Sequence, residues 1–265
     1  MKIVFSCNLI FKKIKLSFFI ISFFSLSLKA QDTKKVDVVS QYWITYSGKF
    51  KVRNKLELMA ESTLRSVDHS INKVTQNLVL VGLSWSVNDF IKLAAGYQHV
   101  SIFPGNSKIT VTQPEYRPWQ QIQFGNNFSL KKITQRLRLE ERFRKVLIND
   151  STLALDNAFN FRFRYNVLGE FPLSKKEAIL KRLSLILSEE IFINIGKQVV
   201  FNYFDQNRVF VGLKFKINEG NNIQLGYLDL FQQLPSGNKF RNLHILRLSY
   251  FQNLDFRQKA FQTKG

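Results

Sequence analysis

Over residues 134–167 the chain alternates its side-chain chemistry one residue at a time, and few folds can absorb that. In TQRLRLEERFRKVL one set of positions holds Leu137, Leu139, Glu141, Phe143 and Lys145. The other set holds Arg136, Arg138, Glu140, Arg142 and Arg144. After a polar link at Asn149, Asp150 and Ser151 the pattern returns. Phe159, Phe161, Phe163, Tyr165 and Val167 then alternate with Asn160, Arg162, Arg164 and Asn166. Successive side chains of a strand point to opposite faces, so a period of two predicts strands with two unlike faces. A face this rich in arginine needs water or counter-charges beside it. A transmembrane barrel supplies both in its lumen, while the apolar face meets lipid.

The same alternation recurs along the chain. Residues 36–47 read as a first strand ending in Tyr42, Trp43 and Tyr46, with a tight turn at Ser47, Gly48 and Lys49. Residues 50–65 read as a second strand, with Leu56, Leu58, Ala60 and Leu64 on one face and Glu57, Glu61 and Arg65 on the other. Further strands are expected at 72–86, 90–101, 117–128, 180–195, 207–217, 223–234 and 243–253. That makes eleven with the opening pair. Single-chain bacterial barrels have even counts, so the expected fold is an all-β, antiparallel, up-and-down transmembrane β-barrel of ten to twelve strands, twelve favoured. Aromatics near strand ends (Tyr42, Trp43, Trp85, Trp119, Phe128, Tyr250, Phe251) suit a membrane interface. A soluble periplasmic binding barrel gives the same pattern turned inside out, and is the structural alternative.

Residues 1–30 have a basic start, an apolar run (LSFFIISFFSLSL) and then Lys29-Ala30, the pattern of a cleaved secretory signal. The barrel is then expected over 31–255, with a basic tail at 256–265, and the cell outer membrane as its location. Cys7, the only cysteine, lies in the leader, which excludes disulfides and thiol chemistry from the exported part. His69, His99 and His244 are scattered without ligand spacing, and phosphate-binding glycine loops are missing. No metal and no cofactor are therefore expected. Of 39 basic residues only five fall in the leader, so the exported part stays strongly basic against 19 acidic residues. The partners expected are outer-membrane lipid and lipopolysaccharide, and small anionic solutes. Charge spread along strand faces behind an export signal argues against nucleic acid, and nothing sets the oligomeric state.

Four groups of residues could carry a function. Arg136, Arg138, Arg142, Arg144, Arg162 and Arg164 share one face with Glu140, and parity adds Arg208 with Lys214 and Lys216. They form either a structural ladder of Arg–Glu pairs or a narrow anion-leaning passage. Glu115, Arg117 and Trp119, framed by Pro114 and Pro118, read as a rim motif with an aromatic anchor or a recognition site at the mouth. Asp205 and Asn207 suit a turn. Lastly His99 and Ser101 share a face at the end of the fourth strand, the one basis for an enzymatic alternative: a lipid-acting hydrolase. They look like the His-x-Ser pair of outer-membrane phospholipase and lipid A deacylase barrels. Here Ile102-Phe103-Pro104 stands where those enzymes continue Asn-Gly.

Three segments, EYRPWQQ (115–121), LRLEERF (137–143) and FDQNRVFVGL (204–213), resemble the family catalogued as domain of unknown function 2490. The resemblance extends over 36–251. It implies an exported protein of Gram-negative bacteria similar to outer-membrane β-barrels, and carries over no catalytic residue. The expectation is thus a non-enzymatic barrel, either structural or a narrow anion-leaning pore.

Overall fold

The computed structural model describes residues 35–67, 73–105, 108–128, 131–174 and 180–257. The expected leader with its expected cleavage point, His69 and residues 258–265 of the expected tail lie outside them. Apart from one 3-10 turn at Leu180–Arg182, the regular structure of the described residues is all strand. The strands are β1 (Lys35–Lys51), β2 (Leu56–Val67), β3 (Val74–Ser86), β4 (Ile91–Ile102), β5 (Gln113–Phe128) and β6 (Lys131–Asn149). They continue as β7 (Thr152–Pro172), β8 (Leu183–Ile195), β9 (Phe204–Lys216), β10 (Asn221–Gln233) and β11 (Lys239–Asp255). Each pairs antiparallel with the next, and β11 returns to β1 to close a barrel.

The closing pair corrects the expected count. An up-and-down path with an odd number of strands brings the first and last strands together pointing the same way. Here β1 and β11 do pair in parallel, from Lys35↔Lys239 to Lys51↔Asp255. Parallel ladders are slightly weaker per residue but satisfy the same backbone groups. Eleven strands therefore close without an unpaired edge, and the favoured twelve is overturned.

The expected turn at residues 47–49 is also displaced. Gly48 sits inside β1, opposite Ala60 and Gln252, and a Cβ there would come within 2.9 Å of the Tyr46 hydroxyl and closer to the Phe50 ring. Its role is to make room for two neighbouring aromatics. The chain reverses later, where the N–H groups of Val52 and Arg53 both donate to the Leu56 carbonyl.

Strand direction sorts the connections onto two rims. Among the described residues the turn rim carries 52–55, 87–90, 173–174, 180–182 and 217–220. The loop rim carries 73, 103–105, 108–112, 150–151, 196–203 and 234–238. Between them the alternation resolves into an inverted protein. Outward positions are apolar and open, as with Val79, Val81, Leu83 and Trp85 of β3, Val209, Val211 and Leu213 of β9, and Leu246 and Leu248 of β11. Inward positions are polar and buried, among them Gln98, Arg138, Glu140, Arg162, Glu190, Gln224 and Ser249.

Two apolar groups interrupt the polar interior. Leu80, Ala94 and Trp119 pack together on one side; Trp43, Ile186, Phe210, Leu228, Leu230, Leu243 and Ile245 do so on the other. Of the three tryptophans expected at an interface only Trp85 faces out, half exposed; Trp43 and Trp119 are interior. Each apolar group is seated on a cross-strand glycine pair. Trp119 lies over Gly82↔Gly96, and Phe210 over Gly212↔Gly226. A Cβ at Gly96 would fall 2.7 Å from the Trp119 ring, and one at Gly226 2.6 Å from the Phe210 ring. Missing side chains on the wall thus let large rings lie flat against it.

Candidate functional site: the arginine-lined lumen

The β6–β7 hairpin, built from the two longest strands, fixes the centre of the lumen. Its register sets Arg138 opposite Arg164, Glu140 opposite Arg162 and Arg142 opposite Asn160. Arg136, Arg138, Glu140, Arg142, Arg144, Arg162 and Arg164 all turn inward, as their parity predicts. Glu140 has no exposed surface and accepts from Arg162 Nε at 2.9 Å and from Arg164. Glu190 of β8 accepts from Arg136 at 2.7 Å and Arg164 at 2.8 Å. Arg162 extends its other end to Asp205 at 3.1 Å. The result is a continuous chain, Glu190–Arg164–Glu140–Arg162–Asp205, in which each buried charge touches an opposite one.

Asp205 is not in a turn. It occupies a β-bulge, since β8 pairs Phe192 with Gln206 and then Ile193 with Phe204, leaving Asp205 as the extra residue. A bulge re-aims side chains. Asp205 and Gln206 consequently both point inward and are buried, although they are sequence neighbours.

The rim motif is likewise relocated. Glu115, Arg117 and Trp119 belong to β5, and all three point into the lumen, buried at 1%, 8% and 1% exposure. Pro114 and Pro118 take the outward positions. The β5–β6 ladder runs to Tyr116↔Phe143 and resumes at Trp119↔Glu140, skipping the proline that has no N–H to give. Glu115 becomes a second hub. Arg117 grips it bidentately at 2.8 and 3.0 Å, and Arg142 and Arg144 also reach it.

Four other inward arginines are held differently. Arg65, Arg138, Arg208 and Arg247 donate to Gln76, Gln121, Gln206 and Gln224. Each also lies over a ring: Arg65 on Trp43 at 3.8 Å, Arg138 on Trp119 at 4.4 Å, Arg208 on Phe192 at 4.3 Å and Arg247 on Phe210 at 3.7 Å. Among the described residues none of the four reaches a carboxylate within 4 Å. The Nε atoms of Arg65 and Arg247 are buried without a hydrogen-bond partner. Neutral amides and ring faces hold a guanidinium without cancelling its charge.

These residues surround a cavity of ≈ 950 Å³. Among the described residues its lining includes eleven arginines against four carboxylates (Glu61, Glu115, Glu190, Asp205). It begins at the loop rim, with Phe103, Pro104 and Leu234, and reaches down to Gln224, Ser249 and Phe251. Nearer the turn rim the lumen is occupied by Lys92–Glu57 at 2.9 Å and Lys214–Glu170 at 2.6 Å.

Residues 40–241 match the family described as Protein of unknown function (DUF2490). The chain belongs to this family. An uncharacterized protein of Methylorubrum extorquens is similar to it at 24% identity over 188 residues, covering 70% of this chain and 75% of that one. No solved structure matches. The family match takes in both carboxylate hubs, Asp205 and three of the four amide-held arginines; Arg247 lies just beyond it.

His99 and Ser101 lie apart from all this, on the outward face of β4. Ser101 Oγ is 3.2 Å from His99 Nε2, and Tyr116 tilts against the imidazole at 5.3 Å. Among the described residues no carboxylate or amide hydrogen-bonds to this histidine. Not singled out by the sequence are Glu190, Arg247 and the four glutamines, whereas parity does put Arg65 on the face of Glu57 and Glu61. Glu190 shares its face with Ser184, Ser188 and Asn194 but also with Ile186 and Phe192, and Glu189 carries the same charge on the opposite face, so the contrast between faces is weak.

Proposed function

We propose that the chain spans the outer membrane of a Gram-negative bacterium as a closed barrel and works without catalysis, its lumen admitting small anions from the loop rim. The observation that carries this is the inversion of inside and outside. An apolar outer face running round every side of a barrel far exceeds the exposed patches of soluble proteins, whereas lipid would cover it. The same observation counts against the soluble binding barrel, whose apolar face would have to be inside. The anion preference follows from the lining, where arginine outnumbers carboxylate.

Membrane fractionation with a heat-modifiability gel tests the first half. The expected result is an outer-membrane band that runs faster unheated; a soluble band that does not shift would overturn it. Planar-bilayer recording across a salt gradient tests the second, with a reversal potential of the sign set by anions expected. A folded barrel that conducts nothing, or favours cations, would leave a structural membrane protein.

The hydrogen bond between Ser101 and His99 supports a second reading, a lipid-acting hydrolase at the outer surface. It requires that purified barrel release fatty acid from phospholipid vesicles and that Ser101→Ala abolish the release. Equal release by both proteins, or none by either, would eliminate it.

A further inference from the structure

The lumen is not uniformly cationic, and the way its chemistry changes round the wall points to a particular kind of anion. One row of inward residues runs Glu190, Arg208, Leu230, Leu243, Val39 across β8, β9, β10, β11 and β1. Within that row, charge gives way to hydrocarbon in a single step. Another inward row runs Gly226, Arg247, Trp43, Arg65, Gln76. Arg65 and Arg208 approach the Trp43 ring at 3.8 and 5.2 Å, so guanidinium groups from strands on either side converge on one indole. Leu228, Leu230 and Leu243 belong to the same apolar group as Trp43 and line the same cavity. Leu230, Leu243 and Val39 all lie within five residues of their strands' loop-rim ends, on the way to the mouth.

We infer that this half of the cavity binds a single-tailed amphiphile with an anionic head, a carboxylate or a phosphate or sulfate ester. The head sits among Arg65, Arg208 and Arg247, and the tail runs past Leu230 and Leu243 over Val39 toward the loop rim. These arginines carry no carboxylate, so an incoming oxyanion completes them without breaking an ion pair. Leu228, Leu230 and Leu243 are closely packed and Val39 beside them is half-buried, so a small hydrated anion would leave that hydrocarbon uncovered and a neutral lipid would leave the cations unmatched; an amphiphilic anion matches both. The volume is that of an ordinary ligand site. The inference deepens the anion-admitting barrel and rests on that reading.

Tryptophan supplies the readout, because Trp43 is at the site and Trp85 is the only one of the three facing outward. The full exported chain carrying Trp85→Phe, folded in a non-ionic detergent, is titrated with 6-bromohexanoate, whose bromine quenches nearby indole. Saturable quenching is expected, released by unbrominated carboxylates with potency rising about three- to fourfold per added methylene from acetate to octanoate. Arg65→Gln combined with Arg208→Gln should weaken it at least tenfold, and Leu230→Gln should flatten the chain-length series. Quenching that survives the double arginine variant, or that a brominated hexylamine reproduces, overturns the inference. So does release by acetate or inorganic phosphate at the same concentration as octanoate, although that would leave an anion-admitting lumen standing. Failure of the parent barrel to show heat-modifiability would instead defeat the underlying reading, and each variant is checked on the same gel.

Discussion

The lumen holds two populations of arginine that differ in what faces them. Arg142, Arg162 and Arg164 are matched by Glu115, Glu140, Glu190 and Asp205. Arg65, Arg138, Arg208 and Arg247 are matched by glutamines and aromatic faces. The first arrangement neutralises charge and ties together strands that are not neighbours, since Glu190 of β8 holds Arg136 of β6 and Asp205 of β9 holds Arg162 of β7. The second positions charge and leaves it available. One side chain therefore serves as mortar in one place and stands as an unneutralised charge in the other, and its partner decides which.

Removing a hub tests this contrast most severely. Glu140→Gln leaves Arg162 and Arg164 crowded without their shared carboxylate, and a loss of about 3–5 kcal/mol is expected, read from the urea midpoint at which the heat-modifiable form disappears. A midpoint unchanged from the parent would mean that the network contributes no rigidity. Next in size is Gly96→Ala. Its Cβ would meet the Val81 carbonyl oxygen and the Trp119 ring, displacing the pedestal on which Arg138 rests. A cost of about 1–3 kcal/mol is expected, with a shifted tryptophan emission. Unaltered emission would show that ring and glycine are independent.

Arg208→Gln addresses the other population. Its folding free energy should change by less than about 1 kcal/mol, because a half-buried cation is lost together with a hydrogen bond to an amide. Anion selectivity in the bilayer should nevertheless decline. A loss as large as that of Glu140→Gln would erase the distinction between the two sets. At the small end, Lys216→Gln removes a pair with Glu219 that is open to solvent at the turn rim, and no measurable shift in the midpoint is expected.

How much of this was legible depends on what side-chain period encodes. Parity put every arginine of the β6–β7 hairpin on one face, but a soluble barrel would hydrate the same charges outside, so the inward direction rested on strand length, strand-end aromatics and the leader-like start. Parity also grouped Glu57, Glu61 and Arg208 with them. Asp205 escaped because a bulge breaks the period by one residue without changing composition. Trp43 and Trp119 escaped because an aromatic suits a lipid interface as well as an apolar group inside the barrel. Eleven segments were visible as such. A rule about even barrels argued against that count, and the rule does not follow from hydrogen-bond geometry.

The parallel seam has a consequence for how the molecule is made. Every other neighbour in the barrel is a hairpin or a short loop away, whereas the seam joins Lys35 to Lys239 and Lys51 to Asp255, almost the full length of the chain. Contacts so distant in sequence form late and slowly. Until β11 pairs with β1, the sheet is an open ribbon with β1 and β11 as its edges, β1 a free edge of seventeen residues and a ready template for a strand from another chain. Because the two edges run in the same direction, a strand that caps one in antiparallel fashion also has the right direction for the other. Assembly is therefore a contest between self-closure and capture, decided at one weak joint that comes last.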